Sequence, residues 1–371
     1  MSKILAFDRN RRQTANRGGG HDSGGTLRSR TAPLVLIRGG ERTEPEQAIA
    51  ISVVVPTKGR PQLLNRCLAS LVLQNLDPQR FEIIVVDDGP DDGTREVATD
   101  WAAHTEEKGP QVVYIPSMGP YGPAAARNHG WRAARGAVIA FTDDDTIART
   151  DWLRNGLRAI EDGADAVCGR IVMPLNGTPT DYELDAKRLE TAEFVTANCF
   201  CRRRVLEDIG GFDERFKAAW REDSDLYFRL MEYHASIVRE PRAVMMHPVR
   251  PAGWGVSLKQ VRKVQFDALL YKKHPLLYRR RIRASPRWDF YLTVSSLLLG
   301  LGALAAGKPL LAGAAGAVWL GMTTRFCAQR LRNTSHAPSH VAEMVVTSAL
   351  IPPLAVFWRA VGAWKFRVGF L

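Results

Sequence analysis

Three consecutive carboxylates, Asp143, Asp144 and Asp145, follow the short apolar run Ala137–Phe141. This run predicts a buried strand that ends in concentrated negative charge. Neighbouring carboxylates repel one another, and a divalent cation such as Mg²⁺ or Mn²⁺ is the usual compensation. A cation held there could neutralise a diphosphate as it leaves a sugar. A solvated acidic turn, or a helix cap before Trp152, is the alternative interpretation of the same residues.

The elements that would position these carboxylates alternate between strands and helices. Continuous apolar runs predict buried parallel strands, and apolar residues at helical spacing predict the helices between them. The alternation indicates a doubly wound, mostly parallel α/β sheet, whose ligands bind at the carboxyl ends of its strands. Both acidic groups, Asp87-Asp88 and Asp143–Asp145, end such strands. The predicted strands are Ile51–Val55, Phe81–Val86, Val112–Ile115 and Ala137–Phe141, with helices near 63–72, 94–104 and 123–134 between them.

The region 165–250 is less regular. It predicts strands at 166–172, 194–201 and 243–247, a helix at 203–209 that stops at Gly210-Gly211, and a further helix that starts near Trp220.

Composition restricts the class of partner. The 371 residues carry a net charge of +12 and a pI near 9.7, which indicates an anionic partner such as a nucleotide sugar or anionic lipid. The cations form no nucleic-acid-binding motif, so we expect no nucleic acid partner. Five scattered cysteines favour a reduced compartment, with Cys199 and Cys201 in the core. Residues 1–48 predict a disordered basic tail without a signal peptide.

Five motifs occur in the order found in family 2 glycosyltransferases, and the chain resembles that family over about residues 50–250. The resemblance implies the GT-A fold and an inverting transfer from a nucleotide-diphosphate sugar with a divalent metal, Mg²⁺ or Mn²⁺. The motifs are Val53-Val-Val-Pro-Thr-Lys-Gly-Arg60, Val85-Val-Asp-Asp-Gly89, Gly122-Pro-Ala-Ala-Ala-Arg-Asn128, Asp143-Asp-Asp145 and Glu222-Asp223.

The resemblance also implies roles for individual residues. Asp223 resembles the catalytic base, with Glu222 and Trp220 on the acceptor side. Asp145 is expected to bind the metal with His247, although a structural role for His247 is the open alternative. The implied donor-binding residues are Pro56 and Arg60 in the first nucleotide loop, Asp87 and Asp88 at the nucleoside base, Arg127 near the diphosphate or sugar, and Asp143 and Asp144.

The chemistry explains why two separate acidic groups are needed. Inversion is an in-line displacement, so a base must take the acceptor proton from the face opposite the leaving diphosphate. A metal must stabilise the departing charge. Capping of a helix is the alternative role for Glu222-Asp223. The Gln-x-x-Arg-Trp motif of processive members is not found, which favours addition of one or few sugars.

The C-terminal part changes character. Phe290–Ala306 and Leu310–Thr324 are apolar and predict a hairpin of two membrane helices, with a buried soluble hairpin as the alternative. Arginines flank both outer ends, so both ends are expected in the cytoplasm. A third apolar segment, Val341–Trp358, contains Pro352-Pro353, which predict a break and hence a re-entrant or interfacial segment. Residues 257–273 predict an interfacial helix or a lid.

These observations divide the chain into a tail (1–48), a catalytic domain (49–255), an interfacial lid region (256–288) and a membrane anchor (289–371). The expected enzyme acts at the cytoplasmic face of the inner membrane on a lipid-linked or glycan acceptor, in polysaccharide or glycolipid synthesis. A nucleotidyltransferase and a catalytically inactive glycan-binding scaffold are the competing interpretations.

Overall fold

The computed structural model describes residues 49–370, so the predicted tail lies outside the described residues. The strands in the described part are Ile51–Thr57 (β1), Phe81–Asp87 (β2), Gln111–Pro116 (β3), Val138–Thr142 (β4), Ile147–Ala148 (β5), Ala166–Val172 (β6), Asn198–Arg202 (β7) and Ile237–Met246 (β8). They form one sheet in the order β3-β2-β1-β4-β7-β6-β8-β5.

Helices connect these strands and continue beyond them. They are Pro61–Val72 (α1), Asp92–Thr105 (α2), Pro123–Ala133 (α3), Trp152–Glu161 (α4), Asp181–Lys187 (α5), Arg203–Ile209 (α6), Glu222–Glu232 (α7), Val256–Val261 (α8), Gln265–Lys273 (α9), Pro275–Leu277 (α10), Trp288–Ala305 (α11), Pro309–Leu331 (α12) and Pro338–Phe366 (α13).

The first half of the sheet is parallel. β1 pairs with β2 and with β4, and β2 pairs with β3, all in parallel. Every residue of β1 and β2 is buried, as expected for strands covered by helices on both faces. The predicted doubly wound sheet is therefore confirmed here, and its carboxyl edge carries the acidic residues that follow β2 and β4.

Pro56 lies within β1 and not in the loop that the sequence predicted. The strand continues to Thr57, and Pro56 stands opposite Val86 of β2. Pairing with β4 on the other side ends at Val54. Proline has no N–H to donate, and at this position no β4 partner requires one. Only Arg60, at the start of α1, keeps its predicted place in the loop.

The second half of the sheet differs from the prediction in its boundaries. β7 begins at Asn198 because the residues before it turn, with the Asn198 N–H donating to Val195 O. β7 runs antiparallel to both of its neighbours, β4 and β6. β8 is longer than expected and pairs in parallel with β6, with an irregularity after Gly169.

The predicted helix at 257–273 forms as α8 and α9, joined by a tight turn at Arg262–Val264. α9 packs into a second core beside the sheet domain. That core joins α7, α9 and the end of the chain through Phe216, Phe228, Phe266, Leu269, Tyr278 and Phe370.

Three helices, α11, α12 and α13, are long and apolar enough to cross a membrane. α11 and α12 form the expected hairpin, in which Gly300 of α11 approaches Ala315 and Gly316 of α12.

The predicted break at Pro352-Pro353 is wrong, because α13 runs unbroken through both prolines. Pro352 is buried among neighbouring helices between Ile351 and Ala355. Packing of this kind tolerates missing backbone donors that would interrupt an isolated helix.

Candidate active site

The acidic end of β4 meets the end of β8 at the carboxyl edge of the sheet. Asp143, Asp145 and His247 converge there, with one ligand atom from each lying within 4.8 Å of the others. Two carboxylate oxygens and one imidazole nitrogen form a donor set suited to Mn²⁺ and similar divalent cations. The predicted residues Asp145 and His247 are thus brought together with Asp143, and they fit a metal.

Two arginines balance this cluster from opposite sides. Arg127 is 3% exposed and donates to Asp143 Oδ1 at 2.7 Å. Arg250 is half exposed, and its Nε lies 2.9 Å from Asp145 Oδ2. Burial would raise the pKa of Asp143, but Arg127 and His247 bring it below its usual range. A cation that binds Asp145 competes with Arg250, and this half-exposed side chain can move into solvent. Arg127 cannot move in the same way because it is buried.

Arg127 connects the metal cluster to the predicted base. Its other terminal nitrogen, Nη1, lies 3.3 Å from Oε1 of Glu222, which is in the first turn of α7. α3 carries this arginine on its buried face, so the carboxyl end of β4 and the amino end of α7 meet across a single guanidinium. Two acidic groups separated by about eighty residues in sequence therefore belong to one site.

Glu222 and Asp223 occupy different environments within that site. Glu222 is buried, and its Oε2 has no hydrogen-bond partner among the described residues. Burial raises the pKa of Glu222, the charge of Asp223 raises it further, and Arg127 offsets part of the shift. Asp223 is only half-buried, and its Oδ1 accepts from the Ser224 N–H at 2.6 Å. Desolvation also raises the pKa of Asp223. A raised pKa suits a carboxylate that must accept a proton.

Asp144 points away from this cluster and is fully buried. It accepts from Thr57 Oγ1 at 2.7 Å and lies 2.9 Å from the Arg60 guanidinium. Burial raises the pKa of Asp144 to about 6, and Arg60 offsets part of the effect. The residue thereby holds the end of β1 and the first loop against β4, and direct donor contact by Asp144 and Arg60 stays a prediction.

The other acidic pair closes β2. Asp87 is buried and accepts from the Tyr114 hydroxyl at 3.0 Å, and burial raises its pKa. Asp88 accepts from the Gly122 N–H at 2.7 Å and lies 3.6 Å from Lys58 Nζ. Asp88 therefore ties the end of β2 to the start of α3, at the edge where a nucleoside is expected.

Trp220 stands at the junction with α9. Its indole N–H donates to Asp267 Oδ1 at 3.0 Å, and Arg221 donates to the same oxygen at 2.6 Å. No sequence motif predicted Arg250, Lys263 or Asp267 as part of the site. Lys263 lies close enough to Glu222 and Arg250 to interact electrostatically with both. These residues follow no motif spacing, so only the tertiary contacts identify them.

Comparison with known proteins relates this chain to glycosyltransferases. Residues 52–210 match the family model described as Glycosyl transferase family 2. Glycosyltransferase AglE of Haloferax volcanii is 27% identical over 215 residues, which cover 55% of this chain and 68% of that protein. The pre-mycofactocin glycosyltransferase of Mycobacterium tuberculosis is 33% identical over 218 residues, 54% of this chain but only 43% of its own length.

One solved structure shows the fold. The mannosyltransferase PcManGT from Pyrobaculum calidifontis, in complex with GDP-Man and Mn²⁺, aligns with a TM-score of 0.50 at 19% identity. The alignment covers 91% of this chain and 90% of that chain. The family model and this structural match agree: residues 52–210 are similar to glycosyl transferase family 2, and the fold is of the GT-A type.

Proposed function

We propose that this protein is a metal-dependent, inverting glycosyltransferase that moves a sugar from a nucleotide-diphosphate sugar to a lipid-linked or glycan acceptor. The reaction would take place at the cytoplasmic face of the membrane, in synthesis of cell-surface polysaccharide or glycolipid. The observation that carries the proposal is the Arg127 bridge, because it joins the metal-binding cluster to the start of α7, where the candidate base lies. The catalytic cleft is the region between these two groups.

In this proposal Asp143, Asp145 and His247 hold the cation, which when bound stabilises negative charge on the leaving diphosphate. Asp88, at the end of β2, contacts the nucleoside. Arg250 moves from Asp145 to the phosphates, since a guanidinium suits phosphate oxygens and this one is half exposed.

Asp223 removes the proton from the acceptor hydroxyl. It is the more exposed of the two carboxylates at the start of α7, and its raised pKa makes it a better proton acceptor than an ordinary aspartate. Glu222 is a positioning residue, because its buried carboxylate reaches the site only through Arg127.

Donor binding by the purified full chain tests the proposal. Calorimetry with a panel of nucleotide sugars should show binding in the presence of Mn²⁺ and its loss in EDTA. Asp145→Asn should abolish the metal-dependent part and leave the melting temperature of the ligand-free protein within a few degrees of the original. Asp162→Asn, an exposed surface carboxylate, is the matched control. Unchanged donor affinity in Asp145→Asn would remove the metal assignment.

A further inference from the structure

α13 is the most apolar of the three apolar helices, and with 29 residues it is also the longest. At a rise of 1.5 Å per residue it extends about 43 Å, which exceeds the thickness of a bilayer core. Hydropathy and length therefore predict a third membrane span. The contacts that α13 makes along its length contradict this.

The beginning of α13 is attached to the catalytic domain. The Asp181 N–H, at the start of α5, lies 3.4 Å from His340 Nε2. The Gly255 N–H, just before α8, donates to Glu343 Oε1 at 2.8 Å. Asp181, His340 and Glu343 line one cavity together with Arg250. Arg250 contacts Asp145 of the metal cluster, so this end of α13 lies on the same side of the membrane as that cluster.

The end of α13 is attached to the same domain. The two backbones touch at Gly362, where an added Cβ would lie 2.9 Å from Gln265 Cα of α9. Lys272 Nζ donates to Phe366 O at 2.8 Å. Arg359 is buried over the Phe370 ring, in the core that joins α7 and α9.

α8 and α9 therefore accompany α13 along most of its length and in the same direction. α9 is fixed to the catalytic domain by ion pairs, since Lys273 contacts Asp213 at 2.7 Å and Arg221 contacts Asp267 at 2.6 Å. A membrane-spanning α13 would pull these charged groups into the hydrocarbon, where each is strongly unfavourable.

The face of α13 that the protein leaves uncovered is apolar. Val346, Leu350, Phe357 and Trp364 are 42–84% exposed and follow one another at intervals of four or seven residues, which places them on one stripe. Exposed cations lie at the same end of α13, namely Lys272, whose Nζ donates to Phe366 O, and Lys365 and Arg367 at the end of the helix itself. An apolar stripe with basic neighbours and a terminal tryptophan is typical of helices that lie at a membrane surface.

We propose that α13 lies along the surface of an anionic phospholipid bilayer instead of crossing it. The stripe enters the boundary between headgroups and acyl chains, and the basic side chains contact the phosphates. The apolar hairpin of α11 and α12 packs beside α13, so the lipid-facing surface is continuous with the membrane anchor.

This orientation places the cleft close to the lipid. Lys263, in the turn between α8 and α9, lies close to Glu222, and α13 packs against the same turn. One layer of helix, about 10 Å, then separates α13 from the cleft. If the proposed function holds, on which this step rests, the reacting group of the acceptor lies at headgroup level, as it does in a lipid-linked acceptor.

Cysteine labelling of the full chain in sealed, inside-out membrane vesicles tests the orientation. Ser339→Cys and Gly369→Cys place a thiol at either end of α13, and Asp162→Cys marks the catalytic domain. The five native cysteines are buried, and the unsubstituted protein gives the background. A membrane-impermeant maleimide should label all three positions from the same side. Labelling of position 369 only after permeabilisation, with 339 and 162 labelled before it, would overturn the proposal.

The depth of the stripe provides a second measurement. Spin labels at positions 350, 357 and 364 should all report a similar shallow depth, from their relative access to oxygen and to a water-soluble nickel complex. A spanning helix would instead place one of these labels near the centre of the bilayer. Neither measurement depends on turnover, so a failed orientation and a failed assignment of activity remain distinguishable through the donor-binding calorimetry.

Discussion

The start of α7 places two carboxylates side by side, and they differ in how far they are exposed. Asp223 is half-buried, whereas Glu222 is buried against Arg127. An amide at position 223 keeps the shape of the side chain and removes its ability to accept a proton.

We expect Asp223→Asn to lower kcat at least about a hundredfold, because general-base catalysis contributes that much. Donor affinity should stay within about twofold, since the metal cluster is unchanged. Single-turnover kinetics and calorimetry measure the two quantities. The control is Asp100→Asn, because Asp100 lies on the exposed face of α2. Asp225 is unsuitable as a control because it is part of a structural ion-pair network. Near-normal turnover in Asp223→Asn would show that this carboxylate only caps the helix.

Residues near in sequence were easier to predict than residues joined by the fold. Asp143 and Asp145 share a short motif with a strand before it, and that combination indicated a cation site directly. Arg250 follows His247 in a loop with no regular spacing, so its contact with Asp145 is visible only in three dimensions.

Among the elements, β1 to β4 and the helices between them follow from local patterns. Their strands are uninterrupted apolar runs, and the helices carry one buried face. The antiparallel placement of β7 between β4 and β6 could not be predicted in this way, because strand pairing depends on residues far apart in sequence. Propensity also failed at Pro352-Pro353, where tertiary packing keeps the helix intact.

The contact of α13 with α9 yields an element-scale prediction. Gly362→Ala should destabilise the protein by about 1–3 kcal/mol, as overpacking does elsewhere, because the added methyl meets the backbone of Gln265. Gly321→Ala, within α12, has open space around its Cα and should be neutral or slightly stabilising. Thermal unfolding of both variants in the same detergent gives the comparison. Equal melting temperatures would mean that α13 does not rest on α9.

At the scale of the whole molecule, an ion-pair network joins α7 of the catalytic domain to α9. Asp225 is fully buried and contacts Arg229, Lys273 and His274, from α7, α9 and the residue after it. Burial opposes ionisation, but these partners bring the pKa of Asp225 below its usual value.

A lowered pKa predicts how stability depends on pH. The ionised carboxylate contributes stability above its unfolded pKa, near 3.8, and the contribution is lost as the pH falls further. Asp225→Asn should therefore destabilise the protein by about 3–5 kcal/mol at pH 7, as expected for a broken buried pair. The difference from the unsubstituted protein should shrink below about pH 4. Chemical unfolding at several pH values measures it, and a constant difference would contradict this account.

The guanidinium of Arg127 couples the two acidic groups of the site. It divides its hydrogen bonds between Asp143 at the end of β4 and Glu222 at the start of α7. Positive charge arriving at Asp143 weakens its hold on Arg127, which then interacts more strongly with Glu222. The two halves of the cleft are thus thermodynamically linked, and the influence is reciprocal. If the proposed function holds, donor and acceptor are therefore not independent ligands, and each one alters the affinity with which the other is bound.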